Sequence, residues 1–307
     1  MATTADEPAG PRATAALLFN GLVWGLSWWP FRQLEALGVH PLWTTVFVFA
    51  SAGTLIALAR PRAIAQVLRT PLLWGLMLAA GTTNAAFNWA VTVGDVVRVV
   101  LLFYLMPLWA VLLGRVMLDE PLTWRAAARV VLALAGAATV LWPQGDAPGP
   151  LSRGGFGLSD ALGLLGGFTF ALNNVLLRRA ANRPEEGRAL AMFVGGVVVA
   201  GGLIGLSMLG LTSTRPIPEL PPMSTGWLLW LVPLACCFLL SNLALQYGAA
   251  RLSTQTTAML MLSEVLFATV SSSLLGGAAL TPAIAVGAVL ILAAAALRPL
   301  PASPATA

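Results

Sequence analysis

The stretch TNAAFNWA, residues 83–90, places two asparagines four positions apart in a segment that otherwise has the composition of an apolar helix. Asn84 and Asn88 lie one helical turn apart, so a helix presents both on one face. An unpaired amide that faces lipid costs several kcal/mol, so both side chains are expected to face protein or water. Two interpretations stay open: hydrogen bonds between helices, worth roughly 0.6 to 2 kcal/mol each, or the polar wall of a substrate cavity.

The composition surrounding this stretch is that of an integral membrane protein. Hydrophobic residues make up 58% of the chain and charged residues 9%, and long apolar runs recur from end to end. A soluble globular domain is therefore excluded, and the fold class is all-α integral membrane protein. The basic residues are all arginines, dispersed between the apolar runs, which argues against nucleic acid as a partner.

We predict ten transmembrane helices, because about 17 to 25 apolar residues are needed to cross the hydrocarbon. Arginines concentrate in alternate connections, 13 on the side of the N-terminus and 4 on the other side. The positive-inside rule then places both termini in the cytoplasm of a multi-pass protein of the cell (inner) membrane. The predicted spans are residues 13–31, 41–59, 72–91, 96–115, 123–142, 157–177, 189–210, 225–247, 253–275 and 281–297.

The ten spans divide into two sets of five. Sliding the chain by 158 positions aligns Asn84 with Asn242 and Asn88 with Gln246, so the opening stretch has a partner in SNLALQYG, residues 241–248. The predicted organisation is an N-terminal cytoplasmic tail, a first five-helix repeat, an external linker, a second repeat and a C-terminal cytoplasmic tail, at residues 1–12, 13–142, 143–156, 157–297 and 298–307.

Each half has an odd number of spans, and this determines how the two halves are oriented relative to each other in the membrane. The second half enters the membrane from the opposite side, so the two repeats are inverted about an axis in the membrane plane. Inverted repeats are typical of carriers that work by alternating access, with the substrate near the midplane where the halves meet. The prediction is therefore two inverted five-helix repeats around a central cavity.

Glu264 is the acidic residue placed well inside a predicted span, in MLSEVLF. A carboxyl group at that depth is protonated, paired or exposed to a water-filled pathway. One hypothesis is that it binds a substrate amine or takes up a coupling proton. The alternative is a protonated carboxyl that bridges two helices.

Further polar and aromatic residues accompany it. In the first helix Asn20, Trp24 and Trp28 share one face, and aromatic faces stack on aromatic ligands and attract cations, although packing is an alternative role for each. Pro107 interrupts the fourth span and predicts a kink, and Gly201-x-x-x-Gly205 predicts close helix packing or a flexible segment. The candidate cavity residues are Asn20, Trp24, Trp28, Asn84, Asn88, Tyr104, Pro107, Asn173, Asn242, Gln246, Met261 and Glu264.

Signatures of enzymes are missing from the sequence. It contains a single histidine, His40, and no HExxH, GxSxG or P-loop motif. Cys236 and Cys237 are adjacent, a spacing that builds neither a disulfide framework nor a CxxC site. We therefore expect no catalytic residues, no metal site and no cofactor.

Three motifs resemble the drug/metabolite transporter superfamily, in particular its EamA-type carriers. PLWAVLLGRVMLDEPLT, residues 107–123, is similar to the end of the fourth helix and the following loop of that family. SEVLFA, residues 263–268, resembles its ninth-helix Glu-Pro stretch, with Val265 in place of the proline, and WGLSWWPFR, residues 24–32, resembles its Trp-Gly motif. The second-half loop has Ala278 where the family often has an acid. The tryptophan content and the asparagine-bearing third helix are most similar to the YddG-type branch, which exports aromatic amino acids.

This resemblance implies a ten-helix exporter of small amphipathic metabolites, with aromatic and other neutral amino acids as cargo. Its partners are then a small-molecule substrate and membrane lipid, with proton coupling resting on Glu264 alone. The alternatives are a carrier of the same fold for a quaternary cation, another drug or a nucleotide-sugar, and a non-transporting membrane scaffold. The sequence leaves the oligomeric state open.

Overall fold

The computed structural model describes residues 11–118, 124–141, 156–180, 182–211, 216–249, 260–261, 263–276 and 281–296. In this part the chain is helical, with no strand. The predicted tails and linker lie outside it, apart from residues 11, 12 and 156. The helices are α1 Pro11–Leu26, α2 Trp28–Ala36, α3 Pro41–Ala59, α4 Arg62–Arg69, α5 Pro71–Val93, α6 Val96–Phe103, α7 Met106–Leu118, α8 Trp124–Leu141, α9 Leu158–Arg179, α10 Glu185–Met208, α11 Thr225–Ala249, α12 Ser263–Leu275 and α13 Pro282–Ala296.

Five helical stretches among the described residues are long and apolar enough to cross a membrane: Pro41–Ala59, Val96–Met117, Leu158–Leu177, Glu185–Met208 and Thr225–Leu245. The bent pair α4 and α5 makes a sixth if it is counted as one span, and α12 and α13 contain shorter apolar helices. These lengths agree with the all-α membrane class. The count of ten spans stays a prediction.

Two predicted spans are broken helices. The first breaks at Ser27, whose hydroxyl donates to the Trp24 carbonyl at 2.8 Å, a local bond that competes with the regular helical pattern. The fourth breaks at Tyr104 and Leu105, before the second position of α7, which is Pro107. Proline lacks an N–H and its ring clashes with the carbonyl four residues earlier, so the chain leaves the helix just before it. The side chain of Pro107 lies outside the described residues.

The sequence did not predict α4 as a separate helix. It meets α5 at an angle of 98° and therefore does not continue along the same direction. Ala63 and Val67 are buried, whereas Ile64 and Leu68 are exposed by 44% and 66%. The indole of Trp74 in α5 donates to the Val67 carbonyl at 2.8 Å, which fixes the bend.

Helices α5 and α10 pack closely through glycine. A Cβ atom at Gly81 would clash with the Gly195 carbonyl, and one at Gly195 would clash with the Met77 carbonyl. The prediction of close packing at Gly201 and Gly205 is wrong for the described part of the chain. No atom there lies within 4 Å of a Cβ at Gly205, and the nearest to one at Gly201 is a valine methyl at 3.9 Å. The contact at Gly195 lies about two to three turns nearer the start of α10.

The two halves of the chain interleave. Helix α1 packs against α11 and α12, and α9 packs against α5 and against α6 with α7. Helix α3 packs against α10 and α11, and α10 packs against α3 and α5. Further cross-half contacts pair α6 with α12 and α8 with α13, and smaller ones pair α4 with α10, α2 with α11, and α13 with α6 and α7. When the five predicted spans of the first half are exchanged with those of the second, in order, most of these contacts have a counterpart, whereas those of α13 with α6 and α7 have no comparable one among the described residues.

Candidate functional site

A cavity of about 430 Å³ lies among helices from both halves. Eight of the predicted residues line it: Asn20, Trp24, Asn84, Tyr104, Asn173, Asn242, Met261 and Glu264. Four others are not found on its wall. The side chains of Pro107 and Gln246 lie outside the described residues, and Trp28 and Asn88 are buried elsewhere.

Asn88 connects two helices instead of facing the cavity. Its side-chain nitrogen donates to Thr45 Oγ1 of α3 at 3.1 Å, and that hydroxyl donates to the Pro41 carbonyl at 2.9 Å. Asn84, one turn earlier, donates to the Ala80 carbonyl at 2.8 Å and lines the cavity. Each of the two interpretations therefore applies to one asparagine: Asn84 lies on the cavity wall, and Asn88 forms a hydrogen bond with a neighbouring helix.

Trp28 also has a packing position. Its indole N–H donates to Ser271 Oγ of α12 at 3.0 Å, and the Arg32 guanidinium lies 4.9 Å from the centre of its ring. The residue is 1% exposed. Of the three residues predicted to share one face, Asn20 and Trp24 line the cavity and Trp28 does not, because the helix is interrupted between Trp24 and Trp28.

The carboxyl group of Glu264 is held by Tyr104. The phenol oxygen lies 3.1 Å from Glu264 Oε2 and 3.1 Å from the Met261 carbonyl oxygen. A phenol carries one hydrogen and donates to one of these acceptors at a time. An ionised Glu264 accepts that hydrogen, whereas a protonated Glu264 donates to the phenol oxygen while the phenol donates to Met261. The same geometry therefore accommodates both charge states.

Helix α1 packs on the backbone of Glu264. A Cβ atom at Gly21 would lie 3.2 Å from the Glu264 nitrogen, and one at Gly25 would lie 2.8 Å from the Glu264 carbonyl oxygen. Glycine at both positions permits the approach. This packing places the Asn20 side of α1 and the start of α12 on adjoining walls of the cavity.

The side-chain amide of Asn20 is oriented by its hydrogen bonds to α11. The Asn20 side-chain nitrogen donates to the Ser241 carbonyl at 3.1 Å and to Ser241 Oγ at 2.6 Å, and the carbonyl fixes which end of the amide is the NH₂. Among the described residues, no hydrogen-bond donor reaches the buried atoms Asn20 Oδ1 and Asn173 Oδ1. An unpartnered buried acceptor costs about 1 to 3 kcal/mol.

Phenylalanines make up much of the remaining wall. Phe87 lies between Trp24 and Phe103, with ring centres 6.2 and 4.9 Å away, and Phe103 lies 5.4 Å from Phe170. All line the cavity. Sequence reasoning missed these phenylalanines because an aromatic residue in an apolar run carries no polar signal.

Charge is sparse in the cavity. Of its described lining residues, Glu264 alone has an acidic or basic side chain. The described part of the chain holds no group of three or more His, Cys, Asp or Glu residues that could bind a metal ion. The wall is thus aromatic and amide-rich, with one carboxyl group.

A charged network ties helix ends together at one end of the bundle. Arg98 of α6 pairs with Asp160 of α9 through Nε to Oδ1 at 2.7 Å and Nη2 to Oδ2 at 3.0 Å. Arg32 of α2 donates to the carbonyls of Thr92, at 3.1 Å, and Gly94 at the end of α5. Asp95 caps α6 by accepting from the Arg98 backbone N–H at 2.9 Å, and burial raises the pKa of its carboxyl group. At the opposite end, Arg179 of α9 donates to the Met117 carbonyl of α7.

Residues 12–142 match the model of the EamA-like transporter family. No curated protein matches the sequence. Fifteen chains of solved structures match the fold. One of them, titled "Crystal structure of protein", has a TM-score of 0.55 and 20% sequence identity, and the match covers 93% of this chain and 94% of the other. At that identity the likeness concerns the fold.

Proposed function

We propose that the chain is a secondary active transporter that exports small amphipathic metabolites, chiefly aromatic and other neutral amino acids, by alternating access. The observation that carries this proposal is the cavity of about 430 Å³ between interleaved halves, with aromatic walls, amides and one carboxyl group. Its volume falls in the range of small-molecule sites, about 300 to 1,000 Å³. The match of residues 12–142 to a transporter family supports the same class.

Alternating access is supported by the pairing of the helices. Most cross-half contacts have a counterpart when the predicted spans of the two halves are exchanged, which is the pattern expected of two structurally equivalent repeats. In carriers of this kind one repeat rocks against the other around a fixed site near the midplane. The network of Arg32, Arg98 and Asp160 then closes one end of the bundle, and its release would open that end.

Different residues of the cavity bind different parts of the cargo. The rings of Trp24, Phe87 and Phe103 offer faces on which an aromatic side chain stacks. Glu264 binds the substrate amine, and its contact with Tyr104 holds the carboxyl group in place when the cargo is absent. Uptake of a coupling proton at Glu264 is the alternative role.

Counterflow in proteoliposomes tests the proposal. Labelled tryptophan, phenylalanine, leucine, threonine and choline are offered to vesicles preloaded with the same unlabelled compound. We expect saturable exchange of the two aromatic amino acids, reduced by Asn84→Ala and by Glu264→Gln. The matched controls are Asn182→Ala and Glu185→Gln, which change an exposed asparagine and a carboxylate that is 91% exposed. If no compound exchanges while the protein stays folded, the proposal fails and the scaffold alternative gains support.

A carrier of the same fold for quaternary cations is a second candidate. It is favoured by the single carboxyl group and the absence of a basic side chain among the described lining residues. The same absence disfavours a nucleotide-sugar, whose phosphates call for arginine or lysine. Choline exchange without amino acid exchange would support this second candidate.

A further inference from the structure

We propose that helix α4 lies along the membrane surface and binds phospholipids with anionic headgroups through Arg62 and Arg69, its first and last residues. The partner is the lipid leaflet at the end of the bundle where α5 begins. This inference concerns the outer surface of the protein, and it depends on neither the cavity nor the cargo.

The direction of α4 places it parallel to the membrane. Helix α5 has 23 residues, long enough to cross the hydrocarbon, and α4 meets it at 98°. A helix at nearly a right angle to a spanning helix runs along the membrane surface. Pro71 has no N–H to donate to the Val67 carbonyl four residues earlier, so α4 ends before it. The indole N–H of Trp74 donates to that carbonyl at 2.8 Å and holds the bend.

Helix α4 has one apolar stripe against the protein and another on the outside. Ala63 and Val67, one turn apart, are buried, and α4 packs against α10. Ile64 and Leu68, also one turn apart, are exposed. On a helix that lies at the membrane surface, such an outer apolar stripe enters the boundary between headgroups and acyl chains.

The basic residues lie on the remaining side of α4. Arg62 and Arg69 are seven positions apart, about two turns, so they share one line along the helix. Both are exposed, and so is Arg60, two residues before the helix. Within the described ranges no carboxylate forms an ion pair with any of the three. Exposed arginines beside an apolar stripe complement a lipid that has acyl chains and a negative headgroup.

Trp74 lies at the depth expected for the headgroups. Its ring is 48% exposed although its N–H is bonded to α4. Tryptophan is enriched where the membrane meets water, because its ring is apolar and its N–H is polar. Leu78, one turn further along α5, is also exposed. The outer surface of α5 thus changes from an indole beside α4 to an aliphatic side chain further into the membrane.

Quenching by lipids of different charge tests this inference. Cys236 and Cys237 are replaced by serine, Leu68→Cys carries a nitrobenzoxadiazole fluorophore, and the protein is reconstituted in phosphatidylcholine vesicles. Phosphatidylglycerol or phosphatidylcholine with the same nitroxide-bearing acyl chains is included at increasing mole fractions. We expect phosphatidylglycerol to reach half-quenching at about fivefold lower mole fraction, the effect of one arginine beside an anionic headgroup. The same fluorophore at Val198→Cys, an exposed position in α10, should be quenched equally by both lipids.

Two pairs of arginine substitutions identify the residues that bind the headgroup. Arg62→Gln with Arg69→Gln should reduce the preference for phosphatidylglycerol at Leu68→Cys below about twofold. Arg12→Gln with Arg183→Gln is the matched control, because it removes the same charge from exposed positions outside α4, and it should leave the preference unchanged. Gel filtration establishes that both pairs remain folded.

Each possible result decides one part of the inference. Equal quenching by the two lipids at Leu68→Cys would overturn the binding of anionic headgroups, and quenching by neither would place α4 away from the membrane. A preference that survives the loss of Arg62 and Arg69 would overturn their role. Sodium phosphate and sodium chloride of equal ionic strength should weaken the preference equally, whereas a stronger effect of phosphate would indicate a site for free anions in place of lipid. None of these results depends on transport, so the proposed function is tested separately.

Discussion

The ion pair between Arg98 and Asp160 predicts a large loss of stability when the carboxylate is removed. The side chains are 18% and 5% exposed, and the two bonds of 2.7 and 3.0 Å form a bidentate pair. Asp160 Oδ2 also accepts from the Gly157 N–H at 3.0 Å. In Asp160→Asn an NH₂ group replaces one of the two oxygens and faces a donor, so at least one bond is lost and the guanidinium loses the charge of the carboxylate that it pairs with.

The expected cost is about 3 kcal/mol, the lower end of the range for breaking a buried pair, since asparagine keeps one acceptor. For a chain of this length about 2 °C in melting temperature corresponds to each kcal/mol, which predicts a fall of about 6 °C. Thermal unfolding followed by tryptophan fluorescence in detergent measures it. Glu185→Gln is the control, because its carboxylate is 91% exposed and lies 3.8 Å from Arg188. Equal melting temperatures for Asp160→Asn and the wild type would refute the argument.

Two further changes have defined outcomes. Gly81→Ala places a Cβ against the Gly195 carbonyl and should cost about 1 to 3 kcal/mol of stability. Gly202→Ala should be neutral or slightly stabilising, because no atom of the described residues lies within 4 Å of the added Cβ. Equal melting temperatures for the two variants would contradict this. Burial lowers the pKa of His40 to about 4 from 6.5, while its Nδ1 accepts from the Leu42 N–H at 3.2 Å. Between pH 4 and 6.5 His40 binds a proton in the unfolded chain and not in the folded one, so the free energy of unfolding should fall as the pH drops through this range. The variant His40→Asn should flatten the dependence of melting temperature on pH there. An unchanged slope would show that other groups cause the dependence.

The pair Asn84 and Asn88 illustrates how far sequence reasoning reaches. The free-energy cost of an unpaired polar group in lipid predicts that both amides face protein or a cavity. It does not decide which amide meets the cavity. One turn raises Asn88 about 6 Å above Asn84, and at that height Thr45 of α3 is within hydrogen-bond distance. Where α3 packs against α5 depends on the tertiary structure, and the spacing of residues along one helix does not predict it.

The helix breaks show the same limit. Pro107 predicted an interruption of the fourth span, and α6 ends shortly before it. The break at Ser27 depends on one hydroxyl bond to Trp24, which serine forms in some helices and not in others. Likewise Gly81 and Gly195 share no motif in the sequence, since their contact depends on how α5 crosses α10. Polar residues in the sequence therefore indicated much of the candidate site, whereas its aromatic wall and the close helix packing depend on how the helices pack in three dimensions.

Protection of a cavity cysteine by cargo tests the central claim most directly. Cys236 and Cys237 are replaced by serine, and Ala110, which lines the cavity, is changed to cysteine. Ala161→Cys, on an exposed position of α9, is the control. We expect tryptophan to slow thiol labelling of Ala110→Cys in proportion to its occupancy and to leave labelling of Ala161→Cys unchanged. A protein that exchanges tryptophan while both cysteines label at the same rate with and without it would contradict the assignment of this cavity as the transport site.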